Sequence, residues 1–111
     1  MAEYGEWNRK GSTLSDVTAK TEYGVDRDFI IEGIKTGKLE YRDGAIWGNP
    51  YLRILRNQLE KYIVEQRGRD YLIKVKSQTE LRKIKKEMSE LKKRLNELQD
   101  RKTNLEESLK K

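Results

Sequence analysis

Residues 81–109 read LRKIKKEMSELKKRLNELQDRKTNLEESL. The apolar side chains fall at Leu81, Ile84, Met88, Leu91, Leu95, Leu98, Leu105 and Leu109, and the alternation of three- and four-residue steps is broken only where Lys102 fills a slot. With Leu81 as heptad position a, the a series is Leu81, Met88, Leu95, Lys102 and Leu109, and the d series is Ile84, Leu91, Leu98 and Leu105. Four heptads without Pro or Gly predict a coiled-coil helix, roughly 43 Å long at 1.5 Å per residue. A helix with one apolar stripe cannot bury it alone, and no other stretch of the chain has a matching seam. The partner must be another molecule, and the expectation is a homodimer. The competing reading, a solvated single charged helix, fits poorly with so regular a seam.

Charge at the flanking positions does not settle how two copies pair. A parallel dimer sets Glu80 against Lys85, Glu87 against Lys92, Arg94 against Gln99 and Arg101 against Glu106. An antiparallel dimer sets Glu80 against Arg101, Glu87 against Arg94, Lys85 against Glu106 and Lys92 against Gln99. Each has three attractive contacts and one neutral one. Lys102 tips the choice, because a parallel pair stacks two ammonium groups in one layer and an antiparallel pair separates them. The antiparallel arrangement is favoured.

Working outward, the 111 residues are 34% hydrophobic and 40% charged, which suits one small domain followed by a largely exposed helix. There is no Cys and no His, so disulfides, thiolate or imidazole metal sites, and Cys or His nucleophiles are excluded. Nothing resembles a signal peptide or a membrane span, and the expected compartment is the cytoplasm. No phosphate loop or nucleophile motif appears, so an enzyme is not expected, nor is a cofactor or small-molecule ligand. Residues 1–56 carry 9 Lys/Arg against 9 Asp/Glu, and residues 57–111 carry 16 against 10. The excess concentrates between Arg67 and Lys86, including Arg82 and Lys83. Such a basic collar suits phosphate contact, or it only solubilises the helix.

From the N-terminus, residues 1–13 read as an arm. Tyr4 and Trp7 are expected to pack onto the domain rather than touch bases, while Arg9 and Lys10 suit phosphate. Ser12 or Thr13 caps a helix over about 14–23, with Leu14, Val17 and Thr21 on one face and Ala19 allowing close approach. Gly24 ends it, Val25 points inward, and Asp26 caps a second helix to about Thr36. That helix buries Phe29, Ile30 and Ile34, with Ile31 at the margin, and Gly33 marks a close packing contact. Gly37 terminates it. The period then becomes two. Leu39, Tyr41 and Ile46 lie on one side of a hairpin and Glu40, Arg42 and Trp47 on the other, with Asp43-Gly44 as the turn. Gly48-Asn49-Pro50 makes a further turn, and residues 51–56 form a returning strand or begin the next helix. Asn57 and Glu60 resemble a capping box for a helix over 58–66 with Leu59, Tyr62 and Ile63 inward. The long helix starts at Ser77, or runs continuously from about Asp70.

The order helix, Gly-Val turn, helix, Gly-Lys-Leu, hairpin, helix resembles a winged helix-turn-helix of the excisionase-like and MerR-like class. The resemblance is carried by Ala19, Tyr23-Gly24-Val25-Asp26, Ile34-Lys35-Thr36-Gly37-Lys38-Leu39 and the stretch from Asn57 to Ile63, about half the chain. It implies a mainly α fold with a small β-hairpin wing: an arm at 1–13, a winged helix-turn-helix domain at 14–66, a hinge and basic connector at 67–76, and a coiled-coil dimerisation helix at 77–111. In MerR-like proteins a dimerising helix follows the head, which implies antiparallel pairing; the lack of Cys argues against metal sensing.

In that class the second helix enters the major groove and the wing reaches the flanking backbone. Carried over, Arg27, Phe29, Ile30 and Lys35 lie on the reading helix, Lys38, Arg42, Trp47 and Asn49 on the wing, and Arg53 and Arg56 behind it. The candidate contacts to duplex DNA are therefore Arg27, Lys35, Lys38, Arg42, Asn49, Arg53 and Arg56, with Arg82 and Lys83 in the collar. Asp26, Asp28 and Glu32 outweigh Arg27 and Lys35 on the reading helix, so wing and collar would supply most of the attraction. The expected function is a dimeric DNA-binding protein, a transcriptional regulator or an architectural or recombination accessory factor. The alternative is a protein-interaction adaptor on a winged scaffold that no longer reads DNA.

Overall fold

The computed structural model describes residues 4–46 and 49–111. It is mainly helical, with a small three-stranded antiparallel sheet and a long C-terminal helix. After a 3-10 turn at Tyr4–Trp7 come β1 (Thr13–Ser15), α1 (Asp16–Tyr23), α2 (Arg27–Lys35), β2 (Tyr41–Ile46), β3 (Asn49–Leu55), α3 (Arg56–Arg67) and α4 (Arg69–Leu109). The strand order is β1-β3-β2, so the last strand in the chain is the central one. The chain divides into two compact units, Met1–Thr79 and Glu80–Lys111.

The first helix begins later than its apolar pattern suggests. Thr13 to Ser15 are extended and pair with Leu55 to Arg53, which removes Leu14 from the helix and places it in the core from a strand. Ser15, not Ser12 or Thr13, is the cap, its Oγ accepting from the Thr18 N–H at 3.1 Å. The helix then buries Asp16, Ala19 and Tyr23, and Val17 is 67% exposed. Asp16 is buried for a reason. Where β1 ends, its carboxylate Oδ1 accepts the Leu52 N–H at 3.0 Å and continues the ladder that the strand no longer supplies.

Gly24 ends α1 with φ 69°, and its N–H donates to the Lys20 carbonyl. Asp26 caps α2 by accepting the Phe29 N–H at 2.9 Å. Ile30 and Gly33 are buried, with Phe29 and Ile34 packed against the core. A Cβ on Gly33 would stand 2.7 Å from Leu39 Cδ1 and 2.9 Å from Tyr62 Cε2, so this is the close contact the glycine signalled.

The hairpin reverses later than expected. Asp43 pairs with Leu52 and Gly44 with Tyr51, so Asp43-Gly44 lies inside β2, and Asn49-Pro50 lies inside β3. The strands pair as far as Ile46 with Asn49; Trp47 and Gly48 lie outside the described residues, as do Met1, Ala2 and Glu3. Gly44 serves packing rather than turning: a Cβ there would stand 2.7 Å from the Tyr51 hydroxyl, whose ring covers it. Pro50 is tolerated because β1 reaches only to Arg53, which leaves that edge of β3 unpaired. Tyr41, opposite the buried Ile54, is 49% exposed, so of Leu39 and Tyr41 only Leu39 turns inward.

Helix α3 starts at Arg56, directly off β3, with Leu55 at the N-cap position and no side-chain cap. Asn57, expected to cap it, is already helical. The start is set by long-range bonding, since the Arg56 N–H donates to the Ser12 carbonyl at 2.8 Å. Leu59, Tyr62 and Ile63 face inward as their spacing predicts. At Gly68, φ 91° interrupts the helix for one residue. Of the two starts left open for the long helix, the structure takes the earlier. Its first turns belong to the head: Val75 and Thr79 are buried, Tyr71 Oη donates to the Tyr23 carbonyl at 2.8 Å, and Thr79 Oγ1 donates to the Glu22 carbonyl at 2.6 Å. These hydroxyls satisfy carbonyls that the end of α1 would leave open.

The second unit, residues 80–111, is helical to Leu109, and all its side chains are exposed. Exposure of the seam runs from 43% at Leu98 to 85% at Leu109. No helix among the described residues is long and apolar enough to cross a membrane.

Candidate nucleic-acid interface

The exposed surface of α2 carries Arg27 and Lys35 at its two ends, about 12 Å apart along the axis. Asp26, Asp28 and Glu32 are exposed on the same helix. Just beyond it, Lys38 pairs with Glu65 at 3.5 Å, both side chains about half exposed. Such a pair contributes little to stability and leaves the ammonium accessible.

The outer face of the sheet is organised around Trp7. This indole is only 3% exposed, so the aromatic of the arm packs onto the domain. Arg42 on β2 and Arg53 on β3 are direct cross-strand partners, and both guanidinium groups lie over the ring, at 4.5 and 5.9 Å from its centroid. Like charges directly opposite on a sheet repel, and an aromatic ring that both guanidinium groups approach offsets that repulsion.

Two of the expected DNA contacts have other partners in the fold. Arg53 donates from Nη2 to the Trp7 carbonyl at 2.6 Å and from Nε to Thr13 Oγ1 at 3.1 Å. Arg56 donates from Nε to the Gly11 carbonyl at 3.1 Å, and from Nη1 to Glu22 Oε1 at 3.0 Å and Tyr23 Oη at 2.8 Å. Both hold the arm against the sheet. The reason is topological: β3 is the central strand, so side chains at its end meet the arm on one side and α1 on the other. The side chain of Asn49 lies outside what is described, as does that of Tyr4. Arg82 and Lys83 are exposed in the second unit. The geometry therefore brings together Arg42 and Arg53 and keeps Arg27 and Lys35 on the open face of α2.

Tyr23, unremarkable in the sequence, is the centre of a polar cluster. Its hydroxyl donates to Glu60 Oε2 at 2.6 Å while accepting from Arg56, and Lys76 reaches Glu60 Oε1 at 3.3 Å. Burial, then the bond to the Glu60 carboxylate, push the phenol well above the ordinary tyrosine range, and these outweigh the lowering by Arg56. A folded-state pKa above the unfolded value means the stabilisation is complete below about pH 10 and is lost as pH rises through the folded value. Stability measured by urea titration should therefore fall between about pH 10 and higher pH, and Tyr23→Phe should lose that part of the slope. An unchanged slope in the variant would show that the alkaline transition lies elsewhere.

Between the arm and the start of α3 lies an open groove of about 400 Å³, lined by charges of both signs including Glu6, Arg9, Lys10, Glu60 and Lys76. Among the described residues, no group of three or more His, Cys, Asp or Glu is placed to hold a metal ion. Compared with known proteins, the chain matches no family model, no curated sequence and no solved structure.

Proposed function

We propose that this protein binds duplex DNA through winged helix-turn-helix heads, acting in the cytoplasm as a homodimer joined by residues 80–109. The observation that carries this reading is the order of elements around the sheet. Two short helices, joined by the Gly24-Val25-Asp26 turn, sit between the first and second strands of a β1-β3-β2 sheet, and the second helix keeps a charged face open. In that arrangement α2 addresses the major groove and the β2–β3 hairpin the backbone beside it. Arg27, Lys35, Lys38 and Arg42 are the contacts assigned to the head, and Arg82 and Lys83 add phosphate contacts. Regulation of transcription, or an architectural or recombination-accessory role, follows from such contacts at spaced half-sites.

The exposed seam supports the dimer. Leucines 43% or more exposed in every heptad leave an apolar edge, interrupted at Lys102, that a second copy covers. Lys102, at the polar a position, bonds its own Glu106 at 3.1 Å, which draws its ammonium toward the rim of the seam.

Fluorescence anisotropy with labelled duplex DNA across a salt series tests the reading. Affinity should fall steeply with salt, and Arg27→Ala should weaken preference between sequences by about 1–3 kcal/mol at one base position. No binding at low salt would overturn it. The acidic groups on α2 favour a second reading, a protein-interaction adaptor; one stoichiometric protein partner recovered regardless of nuclease, together with absent DNA binding, would establish that instead.

A further inference from the structure

We infer that Trp7 is a positioning residue for nucleic-acid contact: its ring is a platform that holds the Arg42 guanidinium in place for a backbone phosphate. The inference rests on the DNA-binding reading above and assigns the N-terminal arm a part in it.

Three arginines surround the arm, and their fates differ. Arg53 and Arg56 each donate to a carbonyl of the arm, Trp7 and Gly11 respectively, and to side chains besides. Ser12 closes the arm on itself, its Oγ donating to the carbonyls of Glu6 and Arg9. The arm is thus fastened at Trp7 and at Gly11, and the indole it carries is buried. Arg42 is the third. It is exposed, and its one close partner among the described residues is the indole face at 4.5 Å. A ring face restrains a planar guanidinium without using its N–H donors, which remain in the plane for an incoming anion. A flexible arginine must be ordered when it binds, and one already stacked loses less freedom. The cross-strand neighbour adds to the effect. Arg53, fixed by the Trp7 carbonyl, keeps a second positive charge beside Arg42, so the pair presents a local field that favours phosphate. Arg27 and Lys35 have charge without this restraint.

A double-mutant cycle on the full chain tests the assignment, with affinity for a duplex of fixed sequence measured over a salt series. Arg42→Ala should weaken binding about tenfold and lower the salt slope by about one. Trp7→Leu keeps apolar bulk without a ring face and should weaken binding about fivefold, the worth of one cation–π contact. Trp7→Phe, which keeps a face, should recover most of it. In the Arg42→Ala background, Trp7→Leu should add nothing. Additive effects, or unchanged affinity in a folded Trp7→Leu protein, would overturn the inference; near-UV circular dichroism checks that each variant is folded, and Trp7→Phe carries the test if Trp7→Leu is not. The upfield ring-current shift of the Arg42 side-chain protons is read separately by NMR. Absence of that shift in the wild type sinks the platform while leaving DNA binding intact. A wild type with the shift but no affinity for DNA sinks the function, and the assignment with it.

Discussion

Replacing Leu91 and Leu98 together by lysine is expected to turn a dimer into a monomer at micromolar concentration, with loss of helix content in residues 80–111. Both leucines are at d positions in the middle of the seam, 61% and 43% exposed in the single chain. Burying a leucine contributes about 1.5–3 kcal/mol, and four are lost per dimer. That is comparable with the whole of a micromolar association, about 8 kcal/mol. Most of a helix's stability comes from packing its apolar face rather than from intrinsic propensity, so helicity should fall with the dimer. Asp100→Lys is the control, because it adds a lysine at position f, away from the seam. Sedimentation equilibrium reads the outcome. A wild type that sediments as a monomer at micromolar concentration, or a double-lysine variant that remains dimeric, would contradict the seam as the interface.

Gly33→Leu is expected to cost about 3 kcal/mol or more of head stability, with Gly33→Ala destabilising by a smaller amount. Helix propensity alone predicts the opposite for alanine, a gain of about 1 kcal/mol over glycine. The reversal comes from what α2 packs against. A first carbon at this position would meet Leu39 and Tyr62 below 3 Å, and both neighbours are confined. Leu39 is 4% exposed, and the Tyr62 ring is held against Phe29 at 4.7 Å between centroids. Since α2 carries the proposed reading surface, a smaller displacement at Gly33 should also weaken DNA binding before it unfolds the head. The urea midpoint of each variant measures the effect, and a stabilised Gly33→Ala would show that the core has more room than the distances indicate.

Features governed by near neighbours along the chain are legible in the sequence. Asp26 caps α2, Gly24 closes α1, and Leu59, Tyr62 and Ile63 turn inward, because caps and helical periodicity depend on residues within a turn or two. The same is true of Gly33, a costly residue in a helix unless something presses on it. Local patterns mislead where a partner far along the chain wins. Ser15 displaces Ser12 and Thr13 as cap because β3 recruits residues 13–15 as a strand. Asp43-Gly44 has the composition of a hairpin turn, but the register that lays Tyr51 over Gly44 keeps both residues inside β2. Asn57 yields to Leu55 because the Arg56 N–H already has the Ser12 carbonyl.

The arginines mark the same divide most sharply. Arg42, Arg53 and Arg56 are the same letter, and the sequence makes all three candidates for DNA, Arg42 on the wing and the other two behind it. Their separate roles depend on strand order and on where the arm crosses the sheet, which no local pattern encodes. Trp7 in a charged arm hints at docking, but not at which side chains it meets. The leucine seam is the opposite case: its spacing alone specifies a helix with one apolar edge, because the α-helical repeat places every a and d residue on that edge without reference to the rest of the molecule. Spacing thus suffices for whatever the helix repeat imposes, while the tasks of Arg42, Arg53, Arg56 and Asp16 exist only once strands about forty residues apart have found their register.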